Sequence, residues 1–317
     1  MIRTVPIRFP SVKGYENRVN DIIYCPPIRN GLNSVVIFFG GDMQDLYENM
    51  ESHRDAKNYL KYNLEDCTLR LRNKFPDSHL INVRPSKIIL KTFSCYSNFV
   101  PTGDYGSPEH VSMNFALKHL QKLLQNVSER LNHMKREEFI ENTQKYRSDL
   151  LKDTEERERI LLNYDQNLFG KNLQFENFDL KAIGFSKGCV VLNQFLYEFH
   201  YLKTENNDLN LNEFVHRFKD LYWLDGGHSG GKNIWITSKP ILDTLSNLEL
   251  NVQVHVSPYQ IEDDRRPWIR KEEKAFSDSL KRLNASIFRR VHFENVQPSL
   301  FTHFEVLNAF KEDEDLN

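Results

Sequence analysis

One short segment constrains the fold of this chain more than any other stretch. Residues 178–195 read FDLKAIGFSKGCVVLNQF, so a short apolar run leads into the pentapeptide GFSKG at 184–188, and a second apolar run follows with helical spacing. This pattern predicts a strand, a sharp turn and a helix. Side chains two positions either side of Ser186 would collide in such a turn, so only glycine is expected there. We therefore predict that Ser186 lies at the tip of the turn with a strained backbone.

A serine at the centre of G-x-S-x-G, between a strand and a helix, is typical of the nucleophile elbow of α/β-hydrolases. The helix that follows directs its N-terminal amides and the positive end of its dipole at the same point. The Lys187 N–H is therefore a candidate donor to an oxyanion formed beside Ser186. The alternative interpretation is an ordinary glycine-rich turn without a catalytic serine.

Strands and helices alternate along most of the chain. Apolar runs with strand character include SVVIFF at 34–39, LYWLD at 221–225 and VQVHV at 252–256, and segments with helical spacing lie between such runs. Strands this apolar are typical of a parallel sheet that is buried on both faces. We predict an α/β protein with the α/β-hydrolase fold, formed by the whole chain, residues 1–317, as one domain.

Residues 135–175 differ from their surroundings in composition. They are dense in both charge signs, and their apolar residues are spaced as in amphipathic helices. We predict a helical insertion ahead of the elbow strand, with most of its surface exposed. Its function would be that of a lid, or of an arm that binds a protein partner through residues 135–167. The alternative is a solvated surface hairpin with neither function.

A helix is predicted to begin shortly before the long amphipathic stretch that ends near Met134. Ser107 suits the N-cap, and Pro108 suits the first helical position. From Met113 onwards the apolar residues step by three and four, so they form one continuous stripe. We expect this stripe to pack against the sheet.

Composition and motifs argue against several classes of function and location. The 42 Lys and Arg residues nearly balance the 44 Asp and Glu residues, so the charge does not predict nucleic-acid binding. The chain has no run of about 18 apolar residues that would predict a transmembrane segment. It has no apolar segment after Met1 that would predict secretion. Without a P-loop or a G-x-G-x-x-G motif, we predict no cofactor.

In an α/β-hydrolase the catalytic groups follow strand ends, in the chain order serine, acid, histidine. His303 follows the last predicted strand and is the candidate base, whereas His292 lies inside that strand and is the weaker candidate. Asp263 follows the penultimate strand and is the preferred acid. Asp225, one strand earlier, is the main alternative, and Asp264 is the third candidate.

The loop after the strand at 34–39 is expected to supply a second oxyanion donor. Gly40 and Gly41 would let its backbone approach a ligand closely, with the N–H of Asp42 or Met43 as the donor. The alternative is a plain turn at the end of the strand.

Asp225 and His228 lie three residues apart and are potential metal ligands. Two ligands without a third make a weak site, so we predict no metal ion. The glycine-rich stretch 226–231 is expected instead to form a flexible wall beside Ser186.

Four longer segments resemble one known family. They are FFGGDMQ at 38–44, GFSKGCVVLNQFLYE at 184–198, LYWLDGGHSGG at 221–231 and VHVSPYQIEDDRRPWIRKEEKAF at 254–276. Together they are similar to a eukaryotic family of mitochondrial α/β-hydrolase-like proteins, that of human chromosome two open reading frame sixty-nine. The resemblance implies an α/β-hydrolase fold, a serine-hydrolase-like site at Ser186 and a mitochondrial location, with the cytoplasm as the alternative. It does not imply a substrate.

Two functions from different classes follow from the sequence. The first is a serine hydrolase that cleaves an ester, thioester or amide with a triad of Ser186, His303 and Asp263. Aromatic residues near the predicted site would suit a small-molecule substrate with an acyl or lipid-like group, and they would suit core packing equally well. The second is a hydrolase-fold protein with weak or no catalysis that acts as a binding or scaffold partner in mitochondria.

Overall fold

An eight-stranded sheet lies at the centre of the molecule. The computed structural model describes residues 5–29, 33–147, 154–205, 208–228 and 233–311. The strands are β1 (Ile7–Lys13), β2 (Val19–Cys25), β3 (Ser34–Phe39), β4 (His79–Val83), β5 (Lys87–Ile89), β6 (Phe93–Cys95), β7 (Asp179–Phe185), β8 (Phe218–Leu224), β9 (Asn251–Val256) and β10 (Ile287–Val291). The sheet has the order β1-β2-β4-β3-β7-β8-β9-β10, and β5 and β6 form a separate hairpin. Strand β2 runs antiparallel to both β1 and β4, and the other neighbouring pairs of this sheet are parallel.

Helices cover both faces of the sheet. They are α1 (Tyr47–Glu51), α2 (Leu64–Lys74), α3 (Ala116–His133), α4 (Arg136–Arg147), α5 (Thr154–Asn167), α6 (Cys189–Thr204), α7 (Leu209–Val215), α8 (Lys239–Ser246), α9 (Pro258–Ile261), α10 (Pro267–Arg282) and α11 (Leu300–Ala309). Helices α2 and α11 pack on one face, and α3, α6, α8 and α10 pack on the other. The predicted α/β-hydrolase fold is confirmed. Among the described residues, no helix is long and apolar enough to cross a membrane.

Strand β3 shows why its sequence is apolar without alternation. Val35, Ile37 and Phe39 pack into the core on one face of the sheet. Val36 and Phe38 pack into the core on the opposite face. Because successive side chains of a strand point to opposite faces, a strand covered on both sides needs an apolar residue at every position. Each fully buried side chain of this size contributes about 1.5–3 kcal/mol of transfer free energy.

The predicted start of the long helix at Ser107 is wrong, because α3 begins at Ala116. Pro108 instead lies in an isolated antiparallel bridge. The first amides of α3 are satisfied from elsewhere in the chain: the buried Glu198 carboxylate accepts from the N–H groups of Ala116 (2.8 Å) and Leu117 (2.9 Å). Burial raises the pKa of Glu198, and these amides oppose that shift. A tertiary contact therefore caps this helix, in place of the local Ser-Pro signal.

Helices α4 and α5 lie within the stretch 135–175, where helical structure was predicted, and 148–153 fall outside the described residues. One side of this pair is docked on the sheet edge. The Asn142 side chain bonds the backbone of Arg8 in β1 through both its oxygen (3.2 Å) and its nitrogen (2.8 Å). Phe139 and Tyr164 are buried in the main core with ring centroids 4.1 Å apart. The function of this stretch as a lid or partner arm stays a prediction.

Candidate active site

The turn between β7 and α6 has the geometry that its glycines predicted. Ser186 has a φ of 51°, a left-handed backbone that residues other than glycine rarely adopt. A Cβ added at Gly184 would lie 2.7 Å from the Cys189 Cα, and one at Gly188 would lie 1.9 Å from the Phe39 carbonyl oxygen. Both positions therefore require glycine, because a side chain would collide with backbone atoms. The turn forces Ser186 to the carboxyl end of the central strand.

His303 lies in the first half of α11, a helix whose N-terminus is well defined. The Ser299 side chain accepts from the Thr302 N–H (3.1 Å), and the two residues form a capping box. The His303 ring is buried and stacks on Phe185, the residue before the elbow serine, with centroids 4.6 Å apart. His292, the weaker candidate base, instead hydrogen-bonds the ring of His255.

Asp225, at the end of β8, is the carboxylate that contacts His303. Its Oδ2 lies 2.7 Å from Nδ1 of His303. The same carboxylate accepts from the Ser257 N–H (2.7 Å) and the Ser257 hydroxyl (2.5 Å). Asp225 is fully buried, so each oxygen needs these bonds to offset the loss of water. Its own φ of 46° is left-handed, which makes this a second strained turn beside the elbow.

The expectation that Asp263 pairs with His303 is wrong. The Asp263 carboxylate accepts from Nε of Arg265 (3.0 Å) and from Nε of Arg266 (2.9 Å). The hydrogen bond from Arg265 is the main reason that the pKa of Asp263 lies well below its usual range. Two arginines within three residues of Asp263 pair with its carboxylate. A contact with His303 would instead require this loop to fold over the sheet. Asp264, the third candidate, is exposed.

Ser186 and His303 line one cavity of about 180 Å³ at the carboxyl ends of the parallel strands. Residues of the loop after β3, the turn after β8 and the loop after β9 complete its wall. Strands β3, β7 and β8 are parallel neighbours, so their ends meet at one edge of the sheet. None of the described residues of 135–175 lines this cavity.

The loop after β3 approaches the serine closely but offers fewer amides than predicted. A Cβ added at Gly41 would lie 2.8 Å from the Ser186 Cβ. The Met43 N–H already donates to the Thr92 carbonyl (2.7 Å), so the expectation that it is a free donor is wrong. The hairpin of β5 and β6 carries Thr92 to this position, which the local sequence did not indicate. Within the described part of the chain, the Asp42 N–H makes no hydrogen bond.

The charges of Asp42 and Lys187 act on each other close to the serine. Burial raises the pKa of Asp42 and lowers the pKa of Lys187, and each charge opposes the shift of the other. The Asp42 carboxylate also accepts from the Ser94 N–H (2.8 Å). The ammonium of Lys187 donates to the Tyr105 carbonyl (3.1 Å). From the sequence, only the backbone amides of these two residues were predicted to take part in the site.

Asp225 and His228, the two potential metal ligands, have different surroundings. Both Asp225 oxygens accept protein hydrogen bonds, and no group of three or more His, Cys, Asp or Glu residues able to hold a metal occurs among the described residues. His228 lines the cavity. Of the predicted flexible wall, 226–231, the structure describes 226–228, and 229–231 lie outside the described residues.

Gln260 and Arg266 also lie in the cavity wall, and neither had a predicted role. The Arg265-Arg266 pair beside Asp263 was a usable signal, because an adjacent arginine argues against a carboxylate free to orient an imidazole. Nothing in the sequence distinguished Gln260 from other polar residues.

Solved structures that resemble the chain include hydrolases of low sequence identity. The esterase Est22 is 13% identical, the alignment covers 95% of this chain and 74% of the esterase, and the TM-score is 0.45. The dienelactone hydrolase from Anabaena variabilis is 12% identical, with 98% of this chain and 96% of that enzyme covered and a TM-score of 0.41.

Curated relatives are more similar to the chain. Mitochondrial protein C2orf69 of Homo sapiens is 35% identical over 288 residues, which cover 87% of this chain and 74% of the human protein. Its homologue in Danio rerio is 34% identical over 322 residues, which cover 96% of this chain and 85% of the fish protein. The family model described as C2orf69 matches residues 8–286. The chain therefore belongs to the C2orf69 family, whose relatives named above are mitochondrial proteins.

Proposed function

We propose that this protein is a serine hydrolase with Ser186 as nucleophile, His303 as general base and Asp225 as the orienting acid. The observation that carries the proposal is the buried 2.7 Å contact between His303 Nδ1 and Asp225 Oδ2, in a cavity that the elbow serine shares with His303. Asp225 thereby replaces Asp263 of the sequence prediction.

The chemistry follows from which ring nitrogen is occupied. Asp225 accepts a hydrogen bond from the N–H at Nδ1, so Nε2 is the nitrogen that takes the proton of the Ser186 hydroxyl. Ser186 attacks the carbonyl carbon of an ester, thioester or amide, and His303 returns the proton to the leaving group. Water then attacks the acyl-enzyme: His303 takes a proton from the water and gives it to the Ser186 oxygen as the bond between that oxygen and the acyl carbon breaks. The N–H groups of Asp42 and Lys187 are the proposed oxyanion donors, and acyl groups, including lipid-like ones, are the proposed substrates.

A fluorophosphonate probe tests this proposal on the full chain. We expect labelling of the wild-type protein and loss of labelling in Ser186→Ala, with circular dichroism to show that both are folded. Labelling that persists in Ser186→Ala would place the nucleophile elsewhere. No labelling of the folded wild type would instead favour a binding or scaffold function for this hydrolase fold, with the charged stretch 135–167 as the first surface to test for a protein partner.

A further inference from the structure

One wall of the cavity contains a buried amide without a partner. Gln260 lines the cavity and is only 3% exposed. Its side-chain oxygen is fully buried without a hydrogen bond, and its side-chain nitrogen makes none to the described residues. Buried amides in folded proteins are nearly always hydrogen-bonded. The nitrogen is the donor of this amide, so it is the atom that an anion in the cavity would contact.

Gly227, in the turn after β8, leaves the space that this amide occupies. A Cβ added at Gly227 would lie 2.4 Å from Oε1 and 2.5 Å from Nε2 of Gln260. The amide is therefore packed against the backbone of the turn that follows Asp225. Packing of this kind fixes the direction of the amide in the cavity wall, because any other side chain at position 227 would displace it.

Arg266 presents charge to the same cavity. Its Nε donates to Oδ2 of Asp263 (2.9 Å), and its terminal nitrogens make no hydrogen bond to the described residues. Asp263 also pairs with Arg265, so these three side chains carry a net charge of about +1 when all are ionised. Arg265 points to solvent with 88% of its side chain exposed, whereas Arg266 lines the cavity. The terminal nitrogens of a guanidinium fixed in this way suit two oxygens of one anion.

We propose that Gln260 and Arg266 form a subsite for a carboxylate or phosphate group of the substrate that Ser186 hydrolyses. The inference rests on the proposed hydrolase function for the reaction, but not for the binding. Asp263 is then a positioning residue that fixes Arg266. The Asp42 carboxylate lines the same cavity, and the charge of Lys187 acts on it there.

Two esters of equal acyl length test the subsite in the full chain. They are p-nitrophenyl butyrate, which is neutral, and mono-p-nitrophenyl succinate, which ends in a carboxylate. We expect the wild type to prefer the succinate ester by about tenfold in kcat/KM, as one charge-assisted contact would give. Arg266→Gln should remove this preference, measured as the ratio of kcat/KM for the two esters, and Arg265→Gln is the matched control that should keep the ratio. No preference in the wild type, or equal losses in the two variants, would overturn the proposal.

Binding without catalysis separates this inference from the hydrolase proposal. In the Ser186→Ala background, calorimetric titration with succinate and with inorganic phosphate shows which anion the subsite prefers. We expect Arg266→Gln to weaken the tighter of the two by about tenfold, and Gln260→Leu by about fivefold, with Arg265→Gln unchanged. Binding that depends on Arg266 in a protein that no fluorophosphonate labels would keep the subsite and reject the hydrolase. Failure of Ser186→Ala to bind either anion would reject the subsite, whether or not the wild type is labelled.

Discussion

Two acidic turns follow neighbouring parallel strands in this protein, and only one of them reaches the histidine. Asp225 follows β8, is fully buried, and accepts hydrogen bonds from His303 and Ser257. Asp263 lies in the loop after β9 and is bound by Arg265 and Arg266. The difference shows that a position near a strand end is not sufficient for a carboxylate to pair with the histidine. The carboxylate must also be free of competing cations.

The chain next to each aspartate explains this difference. Gly226, Gly227 and His228 follow Asp225, so no arginine or lysine is near enough in sequence to pair with it. Ser257, at the end of β9, supplies the donors that a buried carboxylate needs. Two arginines follow Asp263 within three residues, and a surface ion pair forms locally at little entropic cost.

Asp225→Asn is expected to give the largest effect. Replacement of the orienting carboxylate by an amide holds the imidazole in the wrong tautomer and typically lowers turnover by about four orders of magnitude. We expect a loss of this size in fluorophosphonate labelling rate and in hydrolysis of p-nitrophenyl butyrate. Asp263→Asn is the matched control and should keep the butyrate rate within about threefold. If Asp263→Asn lost more activity than Asp225→Asn at equal thermal midpoints, Asp263 would be the orienting acid.

Ser257→Ala should have the next largest effect. It removes the hydroxyl that donates to Asp225 Oδ2 but keeps the backbone N–H that donates to Oδ1. A lost hydrogen bond to a charged group corresponds to about 1.5 kcal/mol or more, so we expect labelling to slow by about tenfold. Ser257→Thr, which restores a hydroxyl, should recover most of the rate. If Ser257→Thr labels as slowly as Ser257→Ala at equal thermal stability, the hydroxyl does not position the carboxylate.

Gly227→Ala tests the contact between the turn after β8 and Gln260. It should change the preference between the two esters more than the rate with the butyrate ester. The added Cβ would lie 2.4 Å from the Gln260 amide oxygen, so the flexible end of Gln260 must move. We expect kcat/KM for the succinate ester to fall by about fivefold while the butyrate value changes by less than about twofold. The combination of Gly227→Ala with Gln260→Leu serves as the control. The two changes should not add, because both remove the same contact; additive losses would mean that Gly227 acts on the serine instead.

Asp263→Asn should give the smallest effect, on stability. The pKa of Asp263 is lowered in the folded protein, so its stabilisation is complete above the ordinary carboxyl pKa of about 3.9 and is lost as the pH falls through the lower folded value. We expect a thermal midpoint less than about 3 °C below that of the wild type between about pH 5 and 8, and a narrowing gap below about pH 4. A gap that widens on acidification would contradict the sign of this shift.

The sequence predicted those parts of the site that depend on neighbours in the chain. The glycine at 184 is needed because backbone atoms of Cys189 leave no space for a Cβ, and the G-x-S-x-G pattern between a strand and a helix indicates this. The same pattern indicated the glycine at 188, although the atom that excludes a Cβ there is the Phe39 carbonyl oxygen of β3. The continuous apolar run of β3 likewise predicted a strand buried on both faces. His303 could be proposed from its place after the last strand, and the structure brings it to the cavity of Ser186.

Distant contacts decided what the sequence left open. Glu198, 82 residues away in the chain, caps α3, which begins at Ala116 and not at the predicted Ser107. The carbonyl of Thr92, in the turn between β5 and β6, accepts a hydrogen bond from the Met43 N–H. Asp42 is therefore the proposed oxyanion donor on the loop after β3.

The sequence by itself therefore indicated the strand, the elbow and the two-sided sheet, because strand periodicity and glycine spacing can be read from neighbouring residues. Only the tertiary structure decided which carboxylate meets His303. Asp225 and Asp263 are chemically identical, and the choice between them depends on burial and on the partners that the folded loops supply. Hydrogen bonds and ion pairs to a buried carboxylate come from whichever donors the fold brings nearest, and spacing along the chain does not specify them.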